Sequence, residues 1–334
     1  MATIREVAKL AGVSIGTVSK VLNGTDERVD PASKERILAS VRALRYKPPP
    51  FEKNQDSAIT NNLGLIVPDL TERPLVRHGY VHLLLDGILE RSGFRGWSVT
   101  IFAATMWDDV GNAVRRKYDG RCDGLIVVAP QPSHDIVPSL QRRGVPVVQI
   151  GTTAWLEDVS SIDIDNFEAG KVIAQHFLDL GHRRLGFLGL EWDQVSAKER
   201  YEGFRSIGGE QTVRLKQSHE RDMADVVQEY IDLGPARPTA IMGWHDGVAL
   251  KFIQELKKRG FEVPRDVSVA GVDNASDAVD LGVELTSINN PLHEIGIRAA
   301  AMAIDRVLDP LMASEIIKLA PILIPRASSR RLSD

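Results

Sequence analysis

The sequence predicts a small all-α unit at the N-terminus, followed by a large α/β unit with parallel sheets. Three short helical patterns follow one another in residues 1–47, each with its own start and stop signals. From Leu63 onward, short apolar runs alternate with helical stripes, which is the pattern of a doubly wound fold. The 334 residues are enough for about two domains of ~150 residues each.

The first two helical patterns predict a helix-turn-helix. Thr3 and Glu6 have the spacing of a capping box, in which each side chain bonds to the backbone of the other residue. Gly12 ends the first helix in a tight turn, and Ser14 caps a second helix that extends to about Leu22. A helix, a short glycine-containing turn and a second helix form the helix-turn-helix arrangement.

A third helix is predicted to begin at Asp30 and Pro31, with the aspartate as N-cap and the proline at the first helical position. Spacing alone is equally compatible with a structural three-helix bundle. The exposed side of the second helix favours DNA binding, because small groups, hydroxyls and a cation let a helix approach DNA and bond to phosphates. These residues are Ser14, Ile15, Gly16, Thr17, Ser19 and Lys20.

The charge distribution supports the same interpretation. The whole chain has a formal net charge of −4. Residues 1–50 contain nine basic and five acidic residues, a net charge of +4, which leaves −8 on residues 51–334. A basic module on an acidic body is what a phosphate-binding head on a separate sensor would show.

Several other classes of protein are not expected. The single cysteine, Cys122, excludes an internal disulfide and a site with several cysteine ligands. No apolar run approaches ~18 residues, and the N-terminus lacks the pattern of a signal peptide, so a cytoplasmic chain without a membrane partner is expected. No nucleotide-binding, nucleophile-elbow or zinc-protease motif occurs, so neither an enzyme nor a cofactor or metal is expected.

The N-terminal segment TIREVAKLAGVSIGTVSKVLNG, residues 3–24, resembles the headpiece of the lactose/galactose-repressor family. The resemblance implies that the second helix lies in the major groove of DNA. By position, it implies base reading by Ile15, Gly16 and Lys20. It implies backbone contacts by Thr3, Ser14, Thr17, Ser19, Asn23 and Tyr46.

Two of the three positions assigned to base reading have no polar side chain. Ile15 and Gly16 have no side-chain hydrogen bonds to offer a base. An isoleucine can pack on a thymine methyl, and Lys20 can donate to guanine O6 or N7. Our hypothesis is that Lys20 provides most of the direct polar readout.

Residues 48–62 are predicted to be a linker, since three consecutive prolines stop the third helix and a polar stretch follows. In the family, this region holds a hinge helix with an alanine and a leucine that wedges into the minor groove. Glu52 and Gln55 occupy those places here, and neither suits intercalation beside phosphates. An alignment shifted to Ala58 and Ile59 is the alternative.

The region 63–334 is predicted to form two similar lobes with parallel sheets. The predicted strands are residues 64–69, 98–104, 124–130, 145–151, 185–190, 239–244 and 267–273. Family resemblance covers residues 163–189, 199–205, 260–274 and 285–300.

The resemblance implies a periplasmic-binding-protein-like (type I) core with three crossovers, near residues 160–164, 288–292 and 318–322. The first lobe would comprise 63–160 and 292–318, and the second 164–288 and 322–330. An effector would bind between the lobes, at the C-terminal ends of the strands.

The candidate effector-binding residues are Arg200, Asp273, His245, Asp246, Asp165, Trp192 and Arg73. Arg200 and Asp273 match family positions that reach into the cleft; a surface salt bridge of Arg200 with Glu199 or Glu202 is the alternative. For Asp246, Asp273 and the pair Asp165 and Asn166, capping of the following helix or segment is the alternative to ligand contact.

Aromatic and basic residues complete the candidate cleft. Tryptophans 107, 155, 192 and 244 stand near strand ends, where an aromatic face can stack on a sugar ring, and Trp192 is preferred among them. Arg73, Arg77 and His78 would give the cleft a positive rim that suits an acidic or phosphorylated effector, unless their loop is merely solvated.

Together these features predict a transcriptional regulator of the repressor type. It is expected to bind double-stranded, palindromic operator DNA as a homodimer. Its effector would be a carbohydrate or an acidic sugar derivative. The alternatives are a solute-binding protein and a sugar-processing α/β enzyme; the first would need export and the second a catalytic constellation.

Overall fold

The computed structural model describes most of the chain in three folded parts: an N-terminal helical unit and two α/β lobes. The described residues are 2–22, 29–44, 46, 59–67, 79–103, 121–130, 136–152, 156, 158–190, 194–217, 221–274 and 282–332.

The N-terminal unit contains helices α1 (Ile4–Ala11), α2 (Ile15–Leu22) and α3 (Pro31–Ala43). The predicted capping box is present, with the Glu6 amide donating to Thr3 Oγ1 and the Thr3 amide donating to the Glu6 carboxylate. Gly12 ends α1 with a left-handed φ of 69°, which glycine adopts without steric cost. The Ser33 amide donates to Asp30 Oδ1 at 2.8 Å, so Asp30 caps α3 as predicted.

The three helices enclose one small core. α2 turns its apolar residues inward, and α1 and α3 close over them. The buried residues are Val7, Ala8, Ala11, Val18, Val21, Leu22, Ile37 and Tyr46.

The first α/β lobe is built on a six-stranded parallel sheet in the order β11-β5-β4-β3-β1-β2. Helices α4 (Gly79–Phe94), α5 (Ile136–Arg142) and α10 (Leu292–Leu308) belong to this lobe. Its strands are β1 (Asn62–Val67), β2 (Ser98–Ala103), β3 (Gly124–Val128), β4 (Val147–Ile150), β5 (Ser160–Ile164) and β11 (Ile316–Leu319).

The second lobe has a sheet of the same size in the order β12-β10-β9-β8-β6-β7, parallel except for the pairing of β12 with β10. Its helices are α6 (Asn166–Asp179), α7 (Val195–Gly208), α8 (Met223–Asp232) and α9 (Asp246–Lys258). Its strands are β6 (Leu185–Leu190), β7 (Val213–Gln217), β8 (Ala240–Gly243), β9 (Ser268–Asp273), β10 (Thr286–Asn289) and β12 (Ile322–Ile324).

The chain passes between the sheets at three places: after β5, after β10 and after β11. These places coincide with the segments predicted as crossovers, and each of these segments also contains part of a strand that pairs at or near a sheet edge. Strand β7 was not predicted, because its alternating residues Val213, Leu215 and Gln217 lack the continuous apolar run of a buried strand.

Glycine pairs bring two helices into close contact in each lobe. In the second lobe, a Cβ on Gly170 of α6 would overlap the Arg200 carbonyl of α7, and one on Gly203 of α7 would overlap the Phe167 carbonyl of α6. In the first lobe, a Cβ on Gly87 of α4 would overlap a backbone carbonyl of α10, and one on Gly296 of α10 would overlap a backbone carbonyl of α4. Only a residue without a side chain permits this distance between helix axes.

We expect Gly203→Ala to destabilise the second lobe, because the new methyl group must push α7 away from α6. Overpacking of this kind costs about 1–3 kcal/mol, measured as the free energy of unfolding in urea. Gly93→Ala is the matched control: Gly93 lies in α4 with no neighbouring atom near its Cβ position. The control should leave stability unchanged or raise it by about 1 kcal/mol. Equal stability of the two variants would contradict the close-packing argument.

Candidate functional site

Helix α2 has one buried face and one exposed face. Val18, Val21 and Leu22 are buried, whereas Ile15, Gly16 and Lys20 are exposed. The three residues that the resemblance assigns to base reading therefore lie on the accessible side of the helix.

The polar residues around α2 have structural roles in addition to their expected DNA contacts. The Thr17 amide donates to Ser14 Oγ at 3.1 Å, and the two hydroxyls are bonded to each other at 2.8 Å. Thr3 Oγ1 donates to Glu6 Oε2 at 3.0 Å. Tyr46 is 7% exposed within the helical core, and burial raises the pKa of its phenol, so little of its side chain is accessible for a DNA contact. Ser19 is half-buried.

A second group of polar residues gathers where the carboxyl ends of both sheets meet. Its centre is Arg200 of α7, which is 4% exposed. Its Nε donates to Asn166 Oδ1 at 2.8 Å, and its Nη1 donates to the carbonyl oxygen of Trp244 at 2.6 Å. Asn166 Nδ2 in turn donates to Asp163 Oδ2 at 2.6 Å. We call this chain of hydrogen bonds the Arg200 relay.

The relay bears on the two interpretations of Arg200. The guanidinium is buried and bonded at the crossover rather than on the surface. Glu202, one alternative partner, has its carboxylate 3.8 Å from Lys198 Nζ. The arginine is therefore placed to hold the cleft wall in position.

Asp163, which no sequence pattern indicates as a site residue, is the acidic end of the relay. It is 1% exposed on β5, and the Ile164 amide donates to its Oδ1 at 2.8 Å. Burial raises its pKa to about 6, while the positive charge of Arg200 opposes that rise. The carboxyl group thus titrates much closer to neutral pH than an exposed aspartate.

Asp273 stands at the end of β9, as predicted, with an unusual backbone. Its φ is 112° and that of Asn274 is 51°, both in the left-handed region that non-glycine residues rarely enter. Asn290 Nδ2 donates to Asp273 Oδ1 at 3.2 Å, and the Asn274 amide donates to Ser287 Oγ at 3.0 Å. Strained backbone held by its surroundings is common at ligand sites.

The neighbouring candidates have more structural roles. The Glu168 amide donates to Asp165 Oδ1 at 2.9 Å, so Asp165 is the N-cap of α6. Asp246 is 1% exposed and accepts a hydrogen bond of 2.7 Å from Ser287 Oγ, which ties α9 to β10. His245 is the N-cap residue of α9, and its ring packs edge-on against Trp244 with 4.3 Å between centroids.

Tyr80 of α4 is a residue of the first lobe that lies near the Arg200 relay and Asp273. Burial raises the pKa of its phenol well above the ordinary value, and the negative charges of Asp163 and Asp273 raise it further. Its Oη lies 3.1 Å from the position that a Cβ on Gly151 would occupy, just after β4. Tyr80 and Asp163 belong to the first lobe and Asp273 to the second, so acidic groups from both lobes lie near this one tyrosine. No pattern in the sequence indicates this proximity.

Three buried polar atoms at this edge have no hydrogen-bond partner among the described residues: Trp244 Nε1, Asn290 Oδ1 and Thr152 Oγ1. Trp244 directly follows β8, Asn290 directly follows β10, and Thr152 lies two residues after the end of β4. A buried polar group left unpaired costs about 1–3 kcal/mol, so such groups point to a ligand that satisfies them.

Several predicted residues lie outside the described part of the chain. They are Asn23, Glu52, Gln55, Ala58, Arg73, Arg77, His78, Trp107, Trp155 and Trp192. Of the alternative hinge residues, Ile59 is described and is 45% exposed. Within the described ranges, no helix combines the length and apolar character needed to cross a bilayer, and no cluster of metal-ligating side chains occurs.

Comparison with known proteins agrees with both parts of the fold. Residues 3–49 match the model described as bacterial regulatory proteins, lacI family, and residues 174–329 match a periplasmic binding protein-like domain. The HTH-type transcriptional repressor PurR of Mannheimia succiniciproducens is 28% identical over 346 residues, covering 100% of both chains.

Two solved structures show the same architecture. The transcriptional regulator CelR in complex with cellobiose has a TM-score of 0.74 at 26% identity, over 98% of this chain and 100% of the other. The lac repressor dimer bound to operator and the anti-inducer ONPF has a TM-score of 0.70 at 21% identity, over 98% and 99%.

A helix-turn-helix unit joined to a two-lobed, periplasmic-binding-protein-like domain defines a transcriptional regulator with a ligand-binding domain. The chain belongs to the lacI family of bacterial regulatory proteins. Proteins of this family regulate transcription and are not enzymes.

We expect Trp244→Phe to cost little stability, because it removes an indole N–H that has no partner among the described residues. Trp97→Phe is the matched control, since both tryptophans are 8% exposed and Trp97 has no such orphaned atom. The free energy of unfolding should fall by about 1 kcal/mol less for Trp244→Phe than for the control. A larger loss at Trp244 would show that its N–H is already satisfied.

Proposed function

We propose that this protein is a transcriptional repressor that binds a palindromic operator as a homodimer and is controlled by a small molecule bound between its two lobes. Residues 1–47 form the DNA-binding headpiece, 48–62 the linker, and 63–334 the effector-binding and dimerisation region. The observation that carries the proposal is the exposed face of α2 on a headpiece that matches the family. The PurR relative, named a repressor, supports the direction of regulation.

The effector is best accommodated where the Arg200 relay, Asp273 and Tyr80 meet. Orphaned donors and acceptors at this edge, on Trp244 and Asn290, give a ligand hydrogen bonds that the protein alone leaves unmade. Ligands of open α/β folds bind at the carboxyl ends of the strands, which is where these atoms lie.

The charges at this edge favour a neutral, hydroxyl-rich effector over an acidic one. Among the described residues at this edge, two buried carboxyl groups, Asp163 and Asp273, lie near one buried cation, Arg200. An additional negative charge would be placed among unscreened carboxylates, whereas sugar hydroxyls can donate to them. The CelR relative, which holds cellobiose, supports a carbohydrate.

Binding between the lobes provides a route from effector to DNA. An effector that bonds to Tyr80 on the first lobe and to Arg200 or Asp273 on the second favours the closed arrangement. Its influence on DNA affinity cannot exceed its preference for one arrangement, typically ~1–3 kcal/mol. A free solute-binding protein would have no use for the headpiece.

We expect Lys20→Ala to weaken binding to the selected operator by about 1–3 kcal/mol, because a direct contact with a guanine is lost. The loss should be smaller for operator variants in which that guanine is replaced by another base. Binding to single-base operator variants, measured by fluorescence anisotropy, checks this. Lys9→Ala, which removes the same charge from the exposed face of α1, is the control. If Lys20→Ala weakens all operator variants equally, Lys20 contacts only phosphate.

We expect Arg200→Lys to abolish the effector response while operator affinity changes less than about twofold, since lysine cannot make both relay bonds. A panel of neutral sugars that includes cellobiose is tested for release of operator DNA, in parallel with sugar phosphates. Lys198→Ala, on the exposed side of the same helix, is the control. If Arg200→Lys still responds to the effector, the effector does not bind at this cleft wall. Separately, operator affinity that does not change with salt concentration would contradict DNA binding itself.

A further inference from the structure

We propose that Ile15 recognises the C5-methyl group of a pyrimidine in the major groove, so that the headpiece binds thymine and 5-methylcytosine alike at one operator position. This inference rests on the proposed binding of operator DNA. It goes further by naming the chemical group that the first turn of α2 reads.

The first step is the exposure of Ile15. It is the first residue of α2 and is 45% exposed, whereas Val18, Val21 and Leu22 of the same helix are at most 4% exposed. The apolar side chain therefore contributes little to the core of the headpiece. In helix-turn-helix proteins, the N-terminal residues of the second helix are those that meet base edges.

The second step is the open space beside it. Gly16 follows in the sequence, and the nearest atom to its Cβ position is Ser14 Oγ at 3.7 Å. A side chain would fit there without displacing the headpiece, so the fold does not require glycine. Because position 16 has no side chain, the base edges on the floor of the major groove can approach Ile15 and the helix backbone closely.

The third step concerns hydrogen bonding at the start of the helix. Neither Ile15 nor Gly16 has a polar side-chain atom. The Ser14 hydroxyl accepts from the Thr17 amide at 3.1 Å and is bonded to the Thr17 hydroxyl at 2.8 Å, so this pair already stabilises the helix start. Contact with a base at this turn is therefore mainly apolar.

The major groove offers one apolar group that matches. Thymine presents a C5-methyl there, and cytosine presents only a hydrogen at the same carbon unless it is methylated. Removing one methyl group from an apolar contact costs about fourfold in affinity. The same factor should appear whichever base carries the methyl, because Ile15 senses the group and not the hydrogen-bonding edge.

The experiment begins with full-length protein and a random duplex library, from which bound operators are enriched. Each thymine of the selected half-site is then replaced by uracil, which removes only the methyl. At the position that responds, duplexes with thymine, uracil, cytosine and 5-methylcytosine are compared by anisotropy. We expect thymine to bind about fourfold tighter than uracil, and 5-methylcytosine about fourfold tighter than cytosine.

Variants of the protein assign the effect to one side chain. Ile15→Ser should bring both ratios to about one, and Ile15→Val, which retains an apolar side chain, should preserve part of each. Leu10→Ala is the control, since Leu10 is a 56% exposed apolar residue on α1 and its removal should leave both ratios unchanged. Circular dichroism verifies that each variant is folded.

Two results would overturn the inference: uracil equal to thymine at every position, or methyl preference that survives Ile15→Ser. Failure to enrich any duplex would instead contradict the proposed operator binding. The two failures are thus distinguishable in one series of measurements.

Discussion

Arg200, Asn166 and Asp163 form a buried chain of hydrogen bonds that joins a strand of the first lobe to two helices of the second at the cleft. Neither the guanidinium nor the carboxyl group is stable in the interior without partners. Asn166 supplies an acceptor to one and a donor to the other. Because Asp163 lies on a strand of the first lobe and Arg200 on a helix of the second, loss of Asn166 between them would leave a buried polar group unpaired in each lobe.

The relay depends on how closely two helices pack. Gly170 of α6 faces the backbone carbonyl of Arg200, and Gly203 of α7 faces that of Phe167. With a larger residue at either place, α7 would move outward and the arginine would lose its reach to Asn166 and to the Trp244 carbonyl. A packing constraint that appears remote from function therefore determines the geometry of a binding residue.

Local features of the fold were predictable because their signals are contiguous in sequence. Thr3 and Glu6, or Asp30 and Pro31, meet within one turn of helix, so spacing alone determines the contact. Asp163 and Tyr80 were not predictable in this way. Their significance depends on the approach of β5, α4 and β9, which are far apart in sequence, and an aspartate inside a strand shows no pattern that distinguishes it from an exposed one.

The headpiece and the cleft differ in what the structure requires of their functional residues. At the cleft, Arg200 and Asp163 are held by bonds that the fold needs, so function and stability are coupled there. On α2, Gly16 has open space around it and Ile15 extends outward, so the core of the headpiece is satisfied without them. A reading surface that carries no structural duty can change its DNA preference by substitution at little cost in stability, whereas a new effector must preserve the relay.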